Sequence, residues 1–187
     1  ATSSIDESIV GWGFNYGANQ GVRMDFIAIG ADPAFKIRFL RGYGSGQTHL
    51  NSSTSLTTNV WYHIALTYDG TTQTIYLNGA SDGTVVSASS GSIDGTAFTI
   101  GADGGSSPGS FFDGIVDQVS AWNTVLTAAQ VSTMYNAGRS VADYRNTFSD
   151  LTSNLKGYWQ FETENLDDDG KVIDLSGNGN LGTLTGG

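Results

Sequence analysis

Hydrophobic and polar residues alternate with a period of two through much of this chain. In residues 22–29, Met24, Phe26 and Ala28 fall on one side, and Arg23 and Asp25 on the other. Phe35, Ile37 and Phe39 alternate in the same way with Lys36 and Arg38. Two is the side-chain period of a β-strand, so both stretches are predicted strands, with Asp32-Pro33 as the turn between them. Residues 5–14 read as a strand before them, and a short strand is expected around Gln47–Leu50 in a polar loop.

The pattern is strongest from Trp61 to Tyr68, which predicts a strand followed by a turn at Asp69-Gly70. A second strand from Thr74 to Leu77 ends at Asn78-Gly79, a tight-turn dipeptide. Weaker strands are expected at Val85-Val86 and Phe98–Gly101, and a longer one from Phe111 to Trp122. One helix is expected, starting at Thr127. Thr127 and Gln130 have capping-box spacing, Leu126 and Val131 the spacing of a hydrophobic staple, and Gly138 is the natural terminator. Many short strands, glycine turns and one short helix predict an all-β, two-sheet antiparallel sandwich rather than parallel β/α units.

Composition narrows the functions open to such a fold. The 187 residues suit one domain of substantial size, and no Cys is present, which removes disulfides and thiol chemistry. The net charge is −10, so nucleic acid and anionic membrane surfaces are poor partners. No apolar run reaches the ~20 residues of a membrane span, so no membrane insertion is expected. The opening ATSSIDES lacks the parts of a signal peptide. The acid is mostly Asp, with Glu only at positions 7, 162 and 164, which suits turns and calcium loops better than helices. Cys-free, acidic, Gly/Thr/Asn-rich chains point to an extracellular or cell-surface setting, bacterial in style.

Several residues carry candidate chemistry. Asp174-Leu-Ser-Gly-Asn-Gly-Asn180 sets one carboxylate and two amides between glycines. Oxygen donors on such a bend suit calcium, and the plainer reading is an Asx-turn in which Asp174 caps its own backbone. Asp167-Asp-Asp169 before Gly170 reads as a hairpin tip. Loop residues Asn15, Tyr16, Tyr43, Gln47, His49 and Asp103 are candidates for glycan binding. The four tryptophans, Trp12, Trp61, Trp122 and Trp159, sit in strand patterns and are expected mainly in the core. Four of the eight Lys and Arg residues fall between Arg23 and Arg41; they form a solvated outer face or a surface for an acidic glycan. No His pair has zinc spacing.

Taken together, Trp61-Tyr-His-Ile-Ala-Leu-Thr-Tyr-Asp-Gly70, Ile75-Tyr-Leu-Asn-Gly79, Thr99-Ile-Gly101, Phe112-Asp-Gly-Ile-Val-Asp117, Trp122-Asn123 and Leu126-Thr127 resemble the laminin-G-like jelly-roll domains of the concanavalin-A-like lectin/glucanase superfamily, a group related to pentraxins. The resemblance is best over residues 58–138 and implies a jelly-roll sandwich of roughly a dozen strands. It also implies that Asp117 points toward the same metal as Asp174, giving a structural calcium (Ca2+) site of Asp117, Asp174, Asn178 and Asn180. Position 118 is Gln where the family often has Glu.

Gly157, Trp159, Phe161, Glu162, Asp174, Ser176, Gly177, Asn178, Gly179 and Asn180 resemble the strand and loop that open such domains, here at 155–187. The resemblance therefore implies one domain over 1–187. The displaced block arises from circular permutation, or it marks a tandem-repeat boundary near residue 154. Hydrolytic relatives use a Glu-x-Asp-x-x-Glu strand that this chain lacks; Glu162-Thr-Glu164 is the nearest approach, on the expected edge strand. The leading expectation is a non-catalytic extracellular glycan-binding module whose partners are a polysaccharide and other domains of the same polypeptide. The alternative is a structural or adhesive spacer domain, and a polysaccharide hydrolase or lyase is a remote third.

Overall fold

Residues 6–15, 20–29, 34–44, 46–86, 98–104, 109–137 and 148–185 are described by the structure, a computed structural model. Tyr16, the Asp32-Pro33 turn, Gly138 and the Asn15 side chain lie outside the described residues. Ten strands and one α-helix are present among them: β1 (Asp6–Asn15), β2 (Gln20–Ile29), β3 (Ala34–Tyr43), β4 (Gln47–Asn51), β5 (Ile64–Tyr68), β6 (Thr72–Leu77), β7 (Ala80–Val86), β8 (Phe98–Ile100), β9 (Val119–Trp122), α1 (Ala128–Ala137) and β10 (Leu155–Trp159). The chain forms two compact units, one of residues 1–114 with 126–136, the other of 115–125 with 137–187.

The first unit holds two antiparallel sheets, a five-stranded one in the order β4-β3-β2-β1-β8 and a three-stranded one in the order β5-β6-β7. The period-two stretches fix the register of the larger sheet: Met24 pairs with Phe39, Phe26 with Ile37 and Asp25 with Arg38. A shift between Ser8 and Val10 makes Ile9 the extra residue of a bulge in β1. The sheets meet over β3 and β4. Ile37 and Ile75 are fully buried, the Gln73 amide donates to the Phe39 carbonyl at 3.4 Å, and Ser53 N–H donates to the Asp82 carbonyl at 2.9 Å. This is the antiparallel β-sandwich that the alternation predicts.

Turn chemistry follows the sequence closely. Asn78 (φ 50) and Gly79 (φ 80) close β6 onto β7 in left-handed backbone that favours these two residue types. Asp69 Oδ1 accepts the N–H groups of Thr71 and Thr72 at 2.8 and 2.7 Å, holding the turn between β5 and β6. At the helix, the Gln130 side chain accepts Thr127 N–H at 2.8 Å and Gln130 N–H donates to Thr127 Oγ1 at 3.3 Å. This is the reciprocal capping box, flanked by buried Leu126 and Val131.

Three strand expectations are corrected. β5 begins at Ile64, not Trp61, because Asn59 takes left-handed backbone (φ 61) and Tyr62 Oη accepts Thr57 N–H at 3.0 Å, folding residues 57–62 into a turn. Trp61 is consequently 62% exposed and Trp12 40%, while Trp159 is buried. The expected strand from Phe111 to Trp122 is confined to β9, since Ser110 (φ 48) and Gln118 (φ 52) interrupt extended backbone. Finally, β10 stops at Trp159, because Phe161 sits at φ 58. Glu162 and Glu164 therefore belong to a short 3-10 turn, Thr163–Asn165, rather than to one face of a strand.

The second unit is organised around β9 and β10, paired antiparallel with Trp159 opposite Val119 and Leu155 opposite Trp122. Trp122 meets Phe148 edge-on at 6.1 Å. After β10 the chain bridges Leu166 to Val172 and Val172 to Gly182. The acidic run is a turn, as expected: Asp167 Oδ1 accepts Asp169 N–H at 3.0 Å and Lys171 N–H at 2.7 Å.

Candidate functional site

In the first unit, sheet register gathers most of the glycan candidates at one end of the larger sheet. Asn15 at the end of β1 pairs with Gln20 at the start of β2. Gln20 pairs with Tyr43 at the end of β3, and Gly42 pairs with Gln47 at the start of β4. The row Asn15–Gln20–Tyr43 thus crosses three strands; Gln47 stands in the next row, beside Gly42, and half-exposed Trp12 stands beside Val22. Alternation puts Gln20 and Tyr43 on the same side as Trp12, and Gln47 and His49 on the opposite side.

Tyr43 is held in place by its own hairpin. Its N–H donates to the Gly46 carbonyl at 3.0 Å, and its ring lies over Gly46, where a Cβ would stand 2.6 Å from the phenol oxygen. His49 is exposed, with Nε2 3.2 Å from Gln47 Oε1. Burial and the charge of Arg38 hold its imidazole below the ordinary value against the pull of Asp25 and Asp6, so the ring is mainly neutral at pH 7. One side of the rim therefore offers an amide, a phenol and an indole, and the other an amide and an imidazole; an amide beside aromatic faces is the mixture that grips hydroxyl-rich rings.

Asp103 has a different place. It is buried, its Oδ1 accepts Gly109 N–H at 2.7 Å, and its own N–H donates to the Gly109 carbonyl at 3.0 Å. Its carboxylate closes a loop, and the adjoining Gly104 lies against the backbone of β1 so closely that a Cβ on Gly11 would collide with it. Asp103 is a framework residue of this end, not an exposed contact.

The basic cluster is also corrected. Arg23 and Asp25 have fully buried side chains joined at 2.8 Å. Arg38 Nη2 reaches Asp25 Oδ2 and Asp6 Oδ1, each at 2.6 Å, and Arg23 Nη2 reaches Asp6 Oδ1 at 3.1 Å. Lys36 Nζ donates to the Ser52 and Ser53 carbonyls at 2.9 and 2.6 Å, and the Arg41 guanidinium lies 3.9 Å over the Tyr68 ring. These four cations form neither a solvated face nor a basic surface. Antiparallel pairing of β2 with β3 places Asp25 between Arg23 and Arg38, which alternation alone could not reveal. Burial pushes the Asp25 carboxyl up even against the two guanidinium groups.

In the second unit, the 174–180 segment lies along β10. Asp174 Oδ1 accepts Tyr158 N–H and Ser176 N–H, both at 2.9 Å. Its Oδ2 accepts Asn180 N–H at 2.9 Å and Asn180 Nδ2 at 3.1 Å. Asn178 Nδ2 donates to the Leu155 carbonyl at 2.8 Å and Asn180 Nδ2 to the Lys156 carbonyl at 2.7 Å. Leu175 N–H donates to the Tyr158 carbonyl at 2.8 Å. Burial draws the Asp174 carboxyl upward, and the hydrogen bonds from Ser176, Asn180 and Tyr158 outweigh it, leaving the group below the ordinary carboxylate value.

These contacts bear on calcium. A carboxylate offers about four acceptor positions, and four N–H donors occupy them on Asp174. Both amides turn their NH2 groups toward β10 rather than presenting a converging oxygen cage. Asp117 is half-buried in the segment leading into β9, and among the described residues no group of three His, Asp or Glu side chains gathers. The donor set around Asp174 fits an Asx-turn hub and does not fit a calcium ligand.

The chain finds a counterpart among known families. A model of the concanavalin A-like lectin/glucanases superfamily matches residues 4–132. The chain belongs to this superfamily. A solved structure of residues 221–444 of an S-layer domain-containing protein from Clostridium thermocellum is similar, at 24% identity and a TM-score of 0.32. The similarity covers 72% of this chain, which spans 65% of the length of that one. No curated protein matches. No helix among the described residues is long and apolar enough to cross a membrane.

Proposed function

We propose that this member of the lectin/glucanases superfamily is a non-catalytic glycan-binding module of an extracellular surface protein, and that the side of the rim carrying Trp12, Gln20 and Tyr43 takes the sugar, with Gln47 and His49 on its other side. The observation that carries this reading is the residue row across β1 to β3, which brings Gln20 and Tyr43 to one sheet end on the same side as a half-exposed indole. Aromatic faces take the apolar side of a pyranose, and amides exchange paired hydrogen bonds with its hydroxyls. With the β2–β3 cations bound to carboxylates and carbonyls, a neutral sugar suits this rim better than an acidic one.

Two observations support a binding role without hydrolysis. A pair of carboxylates flanking a sugar bond is the usual requirement for that chemistry, and among the described residues the rim row holds no carboxylate. Glu162 and Glu164 lie on a 3-10 turn of the other unit. The surface setting rests on the acidic, cysteine-free composition.

A glycan array probed with the purified chain tests the proposal. Binding to neutral oligosaccharides is expected, and it should fall for Tyr43→Ala and Gln20→Ala while their melting temperatures hold. A blank array at high protein concentration would end the glycan reading. Release of reducing ends from a bound polysaccharide would overturn the non-catalytic part.

A further inference from the structure

We infer that the turn at residues 57–61 is a second sugar-binding surface, at the opposite end of the sandwich from the rim, with Trp61 as the platform for a neutral pyranose. Its class of ligand rests on the glycan-binding reading, and its position does not depend on the rim.

The turn is anchored at both ends. Leu56 is buried and its N–H donates to the Phe35 carbonyl at 2.7 Å. Tyr62 Oη accepts Thr57 N–H at 3.0 Å, and Asn59 holds left-handed backbone. On this fixed turn Trp61 is 62% exposed and Val60 53%. A large indole left in water on an anchored turn adds little to the core, and with Val60 it forms an apolar patch on this turn. Its rigidity lowers the ordering cost of binding.

The surroundings decide the class of ligand. Thr57, Thr58 and Asn59, in the same turn as the indole, are all exposed, so the turn carries hydroxyl and amide groups along with one large aromatic. From Gly42 to Tyr68 the chain has no Asp, Glu, Lys or Arg, in a protein of net charge −10. The charges that reach this segment, Lys36 on the Ser52 and Ser53 carbonyls and Asp82 on Thr54, are engaged with residues 52–54 ahead of the turn. A protein partner needs roughly 800 Å² of complementary surface per side, and Trp61 with Val60 is a small apolar area for that. A pyranose with one apolar face and an equatorial ring of hydroxyls matches the patch in both size and polarity.

The second surface is remote from the first. The turn follows Leu56, which bridges to Phe35, whereas the rim includes Tyr43. Eight residues of β3 separate Phe35 from Tyr43, about 26 Å at ~3.3 Å per residue. Two contacts so placed grip one long glycan or join two, and either arrangement raises avidity for polymers over short oligosaccharides.

Affinity electrophoresis through gels containing a neutral β-glucan, a mannan or a xylan, with carboxymethyl cellulose as the charged comparison, tests the inference. The natural chain should be retarded by at least one neutral polymer. Trp61→Ala should lose much of that retardation, Trp61→Phe should keep part of it, and both should melt with the natural chain because the ring is exposed. Retardation of Trp61→Ala equal to the natural chain overturns the inference, as does no retardation in any neutral gel. A lowered melting temperature for Trp61→Ala would make the indole a packing residue and overturn it too. Loss in Tyr43→Ala with none in Trp61→Ala leaves the rim standing and removes the turn; the reverse removes the rim and leaves the turn.

Discussion

Tyr158 N–H donates to Asp174 Oδ1 at 2.9 Å, and this one contact turns the 174–180 loop into a substitute for a neighbouring strand. A strand beside β10 would take its N–H groups and feed its carbonyls with main-chain atoms. Here a carboxylate takes the Tyr158 N–H, and the amides of Asn178 and Asn180 feed Leu155 and Lys156. The edge is closed by side chains, which denies it to another chain. Asp174→Asn keeps one oxygen acceptor and replaces the other with a donor facing two N–H groups. With hydrogen bonds to charged groups at about 1.5–3 kcal/mol each, a loss of roughly 2–4 kcal/mol is expected, read as a lower denaturant midpoint. Because N–H donors already fill the carboxylate, a chelator should leave the natural chain's thermal midpoint where it is; a downward shift would show that a metal contributes. Asp174 is held below its ordinary value, so its stabilisation is complete above the unfolded pKa and disappears as pH falls through the folded one.

The Asp6–Arg23–Asp25–Arg38 lattice gives a sharper test of burial. Removing one partner from a buried ion pair leaves an uncompensated charge and costs about 3–5 kcal/mol. Arg38→Met removes contacts to both Asp25 and Asp6, while Arg23 still holds Asp25 at 2.8 Å, so about 3 kcal/mol is the expected loss. The double variant Arg38→Met with Asp25→Asn should recover part of it. Asp25 is raised by burial, so its effect runs opposite to that of Asp174. Its contribution is full below the unfolded pKa and is lost as pH rises through the folded one. Chemical denaturation from pH 3 to 7 separates the two signs when Asp25→Asn is compared with the natural chain.

Much of this fold can be read from the chain because local rules and packing agree. Period-two alternation locates β2 and β3, Asn78-Gly79 locates its hairpin, and the Thr127–Gln130 pair locates the helix start. The failures occur where backbone takes a hand that the residue type does not announce. Phe161 at φ 58 ends β10 early and Gln118 at φ 52 shortens β9; Asn59 at φ 61, a residue type that does take this backbone, lifts Trp61 out of the expected strand because the apolar run after it reads as continuous. The lattice is invisible for another reason: Arg23 and Asp25 look like an outer face until the sheet is covered. For the rim, loop chemistry suggests Tyr43, Gln47 and His49 individually, and only register shows that they share an end with Gln20 and Trp12.

His63 links the β5 entry to the β6–β7 turn and is expected to make stability sensitive to mild acid. Its N–H donates to Asn78 Oδ1 at 3.0 Å, its carbonyl accepts Asn78 N–H at 2.8 Å, and its ring lies 5.9 Å from that of Tyr135. Nδ1 is buried without a hydrogen-bond partner, and burial lowers the imidazole pKa. A lowered base favours the folded state above the unfolded value, about 6.5, and that stabilisation is lost as pH falls through the folded pKa. The thermal midpoint should drop between about pH 7 and 5. His63→Phe should flatten that drop by keeping the aromatic contact without the proton. A drop of equal size in both chains would assign the effect to another group.

The β9–β10 pairing also tests whether residues 155–187 belong to this folding unit. We propose that they complete it. β9 takes its antiparallel partner from β10, so ending the chain at Asn154 leaves Val119–Trp122 without that ladder and uncovers Trp122. The shortened chain should unfold at a lower denaturant concentration and self-associate, seen by sedimentation. A monomer of unchanged stability would place the block in a following repeat instead.

Gly157 is the residue at which the terminal strand is least free to change. The Trp159 ring folds back over it, so that a Cβ on Gly157 would stand 2.7 Å from Cζ3 and 2.9 Å from Cζ2 of the indole. The ring cannot swing away cheaply, because Trp159 Nε1 donates to the Asn180 carbonyl at 2.9 Å, at the end of the segment that Asp174 holds. Gly157→Ala therefore forces a choice between breaking the indole hydrogen bond and displacing β10 from β9. Overpacking of this kind costs about 1–3 kcal/mol, although Ala outside such a site would stiffen a strand relative to Gly. The expected result is a lower midpoint with altered tryptophan fluorescence. Adding Trp159→Leu to Gly157→Ala should cost less than the sum of the two single changes, because the smaller side chain vacates the space the new methyl needs. Strict additivity in that cycle would mean the ring does not occupy the space over Gly157 in solution.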